Sequence, residues 1–394
     1  MTVAATRQRA FPLGAAITEE QLDDDPHPIL RRLREAEPVS WLPALDAWLV
    51  TSHDVATAAM RDAQRFTVQD ERFSTGRVVG ASMLSVDGHE HVRHRAPFVS
   101  PFRAAEVHRR FADAVADEAG RLVQALADGG PGGELRRGFA GPLAAAVMTR
   151  ALGLDEREVA ELLRWYDSIV ASVTALSAGR PPTTAGQEAY AQLTERLEPV
   201  IAGRRGASLL AAAAEGSGLS ADEIASNAAV LLFGGIETTE GMIANALLML
   251  LERPAALAAA RSAAEALDAA IDESLRLEPA AAVIDRYSTS DTRLGGAEIG
   301  AGELVRISLT AANRDPAVFQ EPDAFDLSRP RRANLAFAQG PHVCVGVHLA
   351  RLEARVGIAA LLDRLPRLRL AGAQAPRIQG LVFRKPPRLE VRWD

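Results

Sequence analysis

The sequence predicts a mainly α-helical fold with a minor β part, of the α+β class, and three observations lead to this prediction. Amphipathic helical patterns follow one another over residues 104–204. A single long helix is expected after Ser220, because Ser220 and Glu223 match a capping box and the next stop signal comes at Pro254. Alternating apolar runs, which are typical of strands, are concentrated in three stretches: about 38–52, 282–310 and 378–394.

Length and composition are those of one large globular domain. The 394 residues are 48% apolar, and no low-complexity linker divides them, so we expect a single domain over residues 1–394. No apolar run is long enough to cross a membrane, and the start of the chain, with Arg7 and Arg9, is unlike a signal peptide. These features predict a cytoplasmic protein. The formal charge of −7 argues against nucleic acid as a partner.

Local patterns predict the remaining elements. Residues 39–42 and 47–50 are expected to form a hairpin. Residues 67–86 show no clear period, and a loop of that length inside a compact domain is usually functional or mobile. Helices predicted at 156–176 and 185–201 enclose a break that looks like the tip of a movable lid. Further strands are expected at 282–286, 298–299 and 304–307, in one sheet, and a final hairpin at 380–383 with 388–393.

The only cysteine, Cys344, lies in a loop directly before a helical pattern and cannot form an intramolecular disulfide. The amide groups and dipole of the first helical turn would stabilise a thiolate there, and a thiolate is a ligand for soft or borderline metals. Gly340 and Gly346 leave room for a large flat group, Phe337 offers an apolar plate and His342 a polar donor. A lone cysteine is more often a buried structural residue, but these neighbours favour a ligand.

Two charged residues four positions apart, His91 and Arg95, fall on one face of a predicted helix. Such a pair is suited to binding one anionic group. The alternative is an ordinary solvated start of a helix, because the surrounding sequence is strongly polar.

The middle of the long predicted helix contains Gly234-Gly235, followed by Glu237 and Thr238. Each glycine costs a helix roughly 1 kcal/mol relative to alanine. An acid and a hydroxyl beside a weakened segment are expected where something lies against the helix and receives protons. A close helix–helix crossing through the glycines is the structural alternative.

In this order and spacing, these stretches resemble the cytochrome P450 family from His91 to Arg388. Residues 337–346 are similar to the family's haem-binding loop, with Ala338 where the family usually has Gly, Ser, Asn or His. Residues 234–239 are similar to the oxygen-binding groove of its central helix, and the helix of His91 to its propionate-binding helix. A further signature, the family's buried Glu–Arg–Arg cluster, is matched by Glu273, Arg276 and Arg329.

The resemblance implies a P450 fold in which haem b lies between the long central helix and the helix after the Cys344 loop. Cys344 would be the axial thiolate ligand of the iron. Phe337, Gly340 and Gly346 would shape the loop around the haem. The haem propionates would be bound by four potential donors: His91, Arg95, Arg286 and His342.

Glu237 and Thr238 would be the catalytic pair, supplying the protons that oxygen activation needs. By position in the family, a further set of residues would line the distal pocket: Leu84, Val230, Phe233, Gly234, Ala282, Val283, Ile284 and Val382. This lining is apolar and predicts an apolar ligand, but it does not separate a terpenoid from a polyketide or a peptide.

The implied activity is that of a monooxygenase, which inserts one atom of dioxygen into a C–H bond, or epoxidises, a mainly apolar small molecule of secondary metabolism. Desaturation or oxidative coupling by the same haem-thiolate centre is an alternative outcome. A haem-binding sensor or carrier without oxygen chemistry is a rival from another class, and a peroxide-driven enzyme is an intermediate one. The pair Glu237-Thr238 favours reductase-driven oxidation over both.

Because neither a flavin nor an iron–sulfur region is fused to this chain, the resemblance implies a separate ferredoxin or flavodoxin with its reductase. Six arginines are candidates for the docking patch of this partner: Arg103, Arg109, Arg110, Arg331, Arg332 and Arg351. They could equally be ordinary solvated arginines.

Overall fold

The computed structural model describes residues 3–177, 179–203, 208–215, 217–330 and 334–394. The predicted fold class is confirmed, because helices dominate and the strands are short. The helices are α1 (Val3–Ala10), α2 (Pro12–Ala15), α3 (Glu19–Asp24), α4 (His27–Ala36), α5 (His53–Arg61), α6 (Ser74–Val79), α7 (Gly88–Val99), α8 (Ala104–Asp128), α9 (Gly141–Leu152), α10 (Val159–Ser177), α11 (Thr184–Gly203), α12 (Leu209–Ala214), α13 (Ala221–Leu251), α14 (Pro254–Ser262), α15 (Ala264–Leu277), α16 (Leu309–Ala312) and α17 (Val347–Arg364).

In the part of the chain that the structure describes, the strands form three small sheets. Their bounds are β1 (Val39–Leu42), β2 (Ala47–Val50), β3 (Phe66–Thr67), β4 (Gly132–Glu134), β5 (Val283–Ser288), β6 (Thr292–Leu294), β7 (Ala297–Ile299), β8 (Leu304–Ser308), β9 (Arg369–Leu370) and β10 (Glu390–Arg392). The largest sheet has the order β1-β2-β8-β5-β3, a second has the order β4-β10-β9, and β6 pairs with β7.

The chain divides into two compact units. The sheet unit comprises Met1–Asp70, Asp272–Cys344 and Arg377–Lys385, and contains the five-stranded sheet. The helical unit comprises three further segments: Glu71–Ile271, Val345–Pro376 and Pro386–Asp394.

The five-stranded sheet gives the sheet unit its core. The predicted hairpin is confirmed, since β1 and β2 pair antiparallel with Trp41 opposite Trp48. Strand β8 then pairs parallel with β2 and antiparallel with β5. Trp48 is 1% exposed, and its ring lies edge-on to those of Trp41 and Phe11 in the centre of an apolar cluster. This packing fixes β5, which carries three residues of interest for the site.

Helix α13 is the long helix that the sequence predicts. Its Ser220 hydroxyl accepts from the Glu223 N–H, while the Glu223 side chain accepts from the Ser220 N–H. Most of its residues are buried in the helical unit. Among the described helices, none could cross a membrane by itself; α13 and α14 pass by length and composition only when joined, and they are bent by 113°.

Three local predictions need correction. Residues 388–393 do not pair with 380–383: β10 pairs with β4 and β9, while Gln379 and Lys385 form a narrow bridge of their own. Glu298-Ile299 lies in the separate two-stranded sheet rather than in the sheet of β5 and β8. The stretch 67–86 contains the short helix α6. These errors share a cause, because strand partners far apart in sequence and single helical turns leave little local periodicity.

Candidate active site

In the sheet unit, the Cys344 loop is held in a single conformation by its own backbone. The Cys344 N–H donates to the Phe337 carbonyl over 2.9 Å, and Gly340–His342 form a 3-10 turn. Gly340 has φ +75°, and a Cβ there would lie 2.4 Å from the carbonyl oxygen of Met60. Only glycine therefore fits this position. The Cys344 side chain is exposed, while Phe337 and His342 are half-buried.

The departure at Ala338 has a structural consequence. Ala338 adopts φ +57°, in the left-handed region that glycine and asparagine tolerate better than alanine. Its N–H donates to the Leu335 carbonyl over 2.9 Å, and its side chain packs against the core of the sheet unit. The loop therefore keeps its shape at a conformational cost of roughly 1–2 kcal/mol.

Arg286 lies on β5 and is 4% exposed. Its Nη1 donates to the Asp285 carbonyl over 2.8 Å, while the Asp285 carboxylate is bound bidentately by Arg306 at 2.8 and 3.0 Å. Asp285 is thus engaged by Arg306, and Arg286 is a second buried guanidinium on the same strand pair. A buried cation of this kind is suited to an anionic partner.

The three predicted members of the Glu–Arg–Arg cluster come together in the sheet unit. Arg276 donates to both carboxylate oxygens of Glu273 at 2.8 and 2.9 Å, and Arg329 donates to both at 3.1 Å. The Asp326 N–H adds a bond of 3.1 Å. Although burial alone would raise the pKa of Glu273, these donors, led by Arg276, lower it. The carboxylate is therefore held ionised and fixed.

A second buried acid cluster was not predicted. Glu278 accepts hydrogen bonds from His27, from Arg314 at 3.2 Å and from Arg384 at 3.1 Å. Burial opposes ionisation of Glu278, but the three partners lower its pKa to about 2. Their positions are remote from Glu278 in sequence, so no local pattern could have indicated them.

Arg384 connects this cluster to part of the predicted pocket lining. Its guanidinium also donates to the carbonyls of Asp23, Gly380 and Ile378, which fixes the turn carrying Val382. Ala282 donates its N–H to the Val382 carbonyl over 2.8 Å. Of the predicted lining residues in the sheet unit, Ala282 is buried, and Val283, Ile284 and Val382 are half-buried.

In the helical unit, α7 carries His91 and Arg95 one turn apart. His91 is 5% exposed and Arg95 is half-buried, so their shared face is turned towards the interior. An ordinary solvated helix start would expose both side chains. This placement disfavours the alternative that the pair belongs to an ordinary solvated helix start.

Helix α13 places its two central glycines in different environments. A Cβ on Gly235 would lie 2.5 Å from Sδ of Met148 on α9, so Gly235 allows close helix packing. A Cβ on Gly234 would meet no atom within 4 Å. The Thr238 hydroxyl donates to the Gly234 carbonyl over 2.6 Å. One glycine therefore serves packing, while the other faces open space beside the hydroxyl.

Glu237 has a partner that the sequence did not indicate. The carboxylate is 4% exposed and accepts a hydrogen bond from the Tyr166 hydroxyl of α10. Burial, together with Glu237 and Glu240, raises the pKa of Tyr166 far above its usual range, so the phenol stays protonated. On sequence, Tyr166 is one aromatic residue on an amphipathic helix, which is a pattern typical of a core residue.

A path of ionisable groups leads from this pair towards the surface. Glu240, one turn after Glu237, lies 3.3 Å from Nε of Arg136 and 3.4 Å from Nε of Arg137. Arg137 also donates to the exposed Asp167 over 2.8 Å, on the residue after Tyr166. Both arginines lie on a π-helical turn, Arg136–Ala140, directly before α9.

The family model "Cytochrome P450" matches residues 201–392. The nocardicin C N-oxygenase of Nocardia uniformis subsp. tsuyamanensis is 33% identical over 98% of this chain and 99% of its own length. The chain belongs to the cytochrome P450 family.

Other P450 relatives agree in sequence and in structure. The mycinamicin IV hydroxylase/epoxidase of Micromonospora griseorubida is 32% identical over 92% of this chain and 94% of its own length. A crystal structure of P450BioI, in complex with an acyl carrier protein ligated to hexadec-9Z-enoic acid, superposes with a TM-score of 0.86 at 28% identity, covering 95% of this chain and 100% of that one. This P450 is a monooxygenase, and the sensor or carrier alternative is not favoured.

P450 enzymes hold a haem iron through a thiolate, and the side chains present here fit that group. Cys344 offers an exposed soft donor in a rigid loop. Arg286 offers a buried cation for a carboxylate, and the surface of α13 at Gly234 has room for a flat group.

The predicted docking arginines are only partly available as positive charge. In the helical unit, Arg109 donates to Glu106 over 2.6 Å and Arg110 lies 3.5 Å from the same carboxylate. Arg103 is exposed and Arg351 half-buried. Arg331 and Arg332 lie outside the described residues.

Proposed function

We propose that the Cys344 thiolate is the axial ligand of haem b, and that this P450 inserts one oxygen atom into a C–H bond, or a double bond, of an apolar small molecule of secondary metabolism. The observation that carries the proposal is the only cysteine of the chain, exposed on a loop that Gly340 and the bond to Phe337 hold rigid. When bound, the haem iron supplies the activation of dioxygen and the oxygen transfer.

Binding of the haem would rest on buried charge. Arg286, Arg95, His91 and His342 would neutralise the two propionates, since charge-assisted bonds of guanidinium or imidazole to carboxylate are the stronger kind. Support comes from the burial of Arg286 and His91, at 4% and 5% exposure, because a charge-assisted bond is stronger where water is excluded. The haem macrocycle would have an apolar contact from Phe337. Room for it would be left by Gly340 and Gly346.

Proton delivery would involve Glu237 and Thr238. Thr238 would hold a proton at Oγ1, and Glu237 would replace each proton that is consumed. Support comes from Glu237, which accepts a bond from a neutral phenol and lies one turn from Glu240 with its surface-connected arginines.

The ligand would be mainly apolar at its reacting part. The lining set of Leu84, Val230, Phe233, Gly234, Ala282, Val283, Ile284 and Val382 supports this, because its side chains are all apolar. Relatives that act on antibiotic precursors, such as the mycinamicin IV hydroxylase/epoxidase, support a secondary metabolite as the class.

Electrons would come from a separate ferredoxin, or a flavodoxin, and its reductase. Arg103 and Arg351, with a smaller contribution from Arg109 and Arg110, would provide its docking charge in a single-domain cytoplasmic enzyme. Raised ionic strength should then reduce the rate of electron transfer, because screening weakens a charged encounter. Arg103→Glu should reduce it further.

The ligand assignment is tested by the carbon monoxide complex of the reduced protein. We expect the strongly red-shifted Soret band that a trans thiolate produces, and Cys344→Ser should abolish both this band and turnover. The matched control is Val343→Ala, which shortens the exposed neighbour and leaves the thiol in place. Survival of the band in Cys344→Ser would overturn the assignment.

A further inference from the structure

In the helical unit, Leu84 lies in a turn that two hydrogen bonds between Ser82 and Ser85 close. The Ser82 N–H donates to Oγ of Ser85 over 3.0 Å, and the Ser85 N–H returns a bond of 3.0 Å to the Ser82 carbonyl. These two bonds fix the conformation of residues 82–85 as a single turn. A restraint on one of its residues therefore restrains Leu84 as well.

That restraint is a side chain of α13. The Met83 N–H donates to Oδ1 of Asn227 over 2.8 Å, and both residues are buried, at 4% and 0% exposure. Nδ2 of Asn227 donates to the Glu223 carbonyl over 2.7 Å and contacts Nδ1 of His94 at 2.9 Å. The Oδ1 atom and both N–H groups of the Asn227 amide are therefore each engaged by one neighbour.

The orientation of the amide follows from its fixed partners. A backbone N–H can only donate and a backbone carbonyl can only accept, so Oδ1 faces Met83 and Nδ2 faces Glu223. Nδ1 of His94 must then accept from Nδ2, which leaves its proton on Nε2. No neutral side chain of the same size accepts once and donates twice except an amide.

The other ring nitrogen of His94, Nε2, lies near the Glu223 carboxylate. His94 is 1% exposed, and its Nε2 lies 3.4 Å from that carboxylate. Arg93 bridges Glu223 and Glu90, at 2.7 Å from the latter, and with the Ser220 N–H it lowers the pKa of Glu223 to about 2. The carboxylate that orients the imidazole is therefore permanently ionised near neutral pH.

A second contact fixes the other end of the same segment. The Tyr190 hydroxyl of α11 donates to the Val79 carbonyl over 2.8 Å and lies 3.2 Å from Oγ of Ser226, the residue before Asn227. The segment from Val79 to Met83 is thus attached at Val79 to Tyr190, which also contacts Ser226 of α13, and at Met83 directly to Asn227 of α13.

We propose that Asn227, oriented by His94, is a positioning residue that fixes the Leu84 turn relative to Val230 and Phe233 and thereby determines which apolar ligands this P450 accepts. Val230 and Phe233 follow Asn227 by three and six residues on the same helix, so the amide sets their separation from Leu84. The inference rests on the proposed function only in treating these three apolar residues as ligand contacts.

The main test compares two variants of the holoenzyme. Asn227→Leu keeps the branched shape at a larger volume but removes the acceptor for Met83, whereas Asn227→Asp keeps that acceptor and removes the two donors. Hydrogen–deuterium exchange at the Met83 amide should accelerate about three- to tenfold in Asn227→Leu, the equivalent of one lost hydrogen bond, and should stay within about twofold in Asn227→Asp. Asn245→Leu is the control, because Asn245 is equally buried about five turns further along α13.

Ligand choice is measured with two probes, imidazole and 4-phenylimidazole, by the shift of the Soret band. In Asn227→Leu we expect the preference for one probe over the other to change at least threefold, while the affinity for the small imidazole stays the same. Asn245→Leu should leave the preference unchanged. Tyr190→Phe removes one hydroxyl without a cavity, and it should change the preference in the same direction even if Asn227→Leu fails to fold.

Two outcomes would overturn the inference: an unchanged Met83 exchange rate in Asn227→Leu, or an unchanged probe preference in both Asn227→Leu and Tyr190→Phe. A protein that lacks the red-shifted carbon monoxide band and responds to neither probe would instead contradict the proposed function. Hydrogen–deuterium exchange at the Met83 amide would still test its bond to Asn227 in that case, since the measurement needs no bound ligand.

Discussion

Glu273 and Glu237 are both buried carboxylates, but their surroundings are opposite in kind. Glu273 accepts five hydrogen bonds, of which four come from the guanidinium groups of Arg276 and Arg329. Glu237 accepts from the neutral phenol of Tyr166. The first arrangement stabilises one ionised state in one position, whereas the second places a neutral hydrogen-bond donor beside the acid.

The same contrast separates two other buried acids. Glu278 is surrounded by His27, Arg314 and Arg384, and its pKa is lowered to about 2. Glu353 on α17 is 1% exposed, and its Oε2 accepts no hydrogen bond from the described residues. Burial raises the pKa of Glu353 well above its usual range. The donors around a buried acid, and not its burial alone, therefore decide whether its ionised form is stabilised.

The largest expected effect is on the fixed side of this comparison. Arg276→Leu should leave Glu273 buried with three of its five hydrogen bonds and lower the free energy of unfolding by about 3–5 kcal/mol. Denaturant titration of the purified holoenzyme measures the loss. The control is Arg293→Ala, because its pair with Glu298 is largely exposed and should contribute less than about 1 kcal/mol. Equal stability of the two variants would show that the cluster around Glu273 is not structural.

A smaller effect is expected on the proton-handling side. Tyr166→Phe removes the hydroxyl that bonds Glu237 and should cost about 1–3 kcal/mol of stability, the usual range when a buried acceptor loses a donor. Turnover should fall about three- to tenfold, because the acid loses its fixed position.

A double-mutant comparison identifies the cause of that loss. If Tyr166 acts through Glu237, adding Tyr166→Phe to Glu237→Gln should slow turnover no further. Additive losses in the double variant would mean that the phenol has a separate role.

The smallest effect concerns pH. The folded protein holds the Glu353 proton more tightly than the unfolded chain does, so this stabilisation is complete below the usual value of 4.5 and declines as pH rises towards the folded pKa. Glu353→Gln cannot ionise and should remove that decline, which unfolding titrations between about pH 5 and 8 would detect. The loss of stability on the acid side, as Glu278 is protonated between its usual 4.5 and about 2, should persist in the variant. An identical pH profile for wild type and variant would contradict the raised pKa of Glu353.

Much of this molecule was predictable from the sequence because its signals are local. The capping box of Ser220 and the stop at Pro254 bound α13 to within a residue or two. The hairpin of β1 and β2 follows from two apolar runs joined by a short turn. The need for glycine at position 340 is not local, because a Cβ there would lie 2.4 Å from the carbonyl oxygen of the distant Met60.

The rest depends on partners far apart in the chain. Strand β10 pairs with β4 (Gly132–Glu134), which is about 258 positions away in the sequence. No local pattern predicts a strand pair at that separation. Asn227 and Tyr166 are single polar residues on helices whose periodicity marks them only as interior. Their roles become visible when Met83 and Glu237 lie against them, which is information that only the tertiary structure contains.

The most direct test of the proton-handling claim is an oxygen balance on Thr238→Ala, with a ligand chosen by its Soret shift and electrons from a surrogate ferredoxin. Oxygen consumed, hydrogen peroxide released and product formed are measured per electron pair. We predict that Thr238→Ala consumes oxygen at nearly the wild-type rate but releases most of it as hydrogen peroxide, whereas Glu237→Gln slows all three by about 10²–10⁴-fold. Tight coupling of oxygen to product in Thr238→Ala would contradict the assignment of this pair as the proton donors.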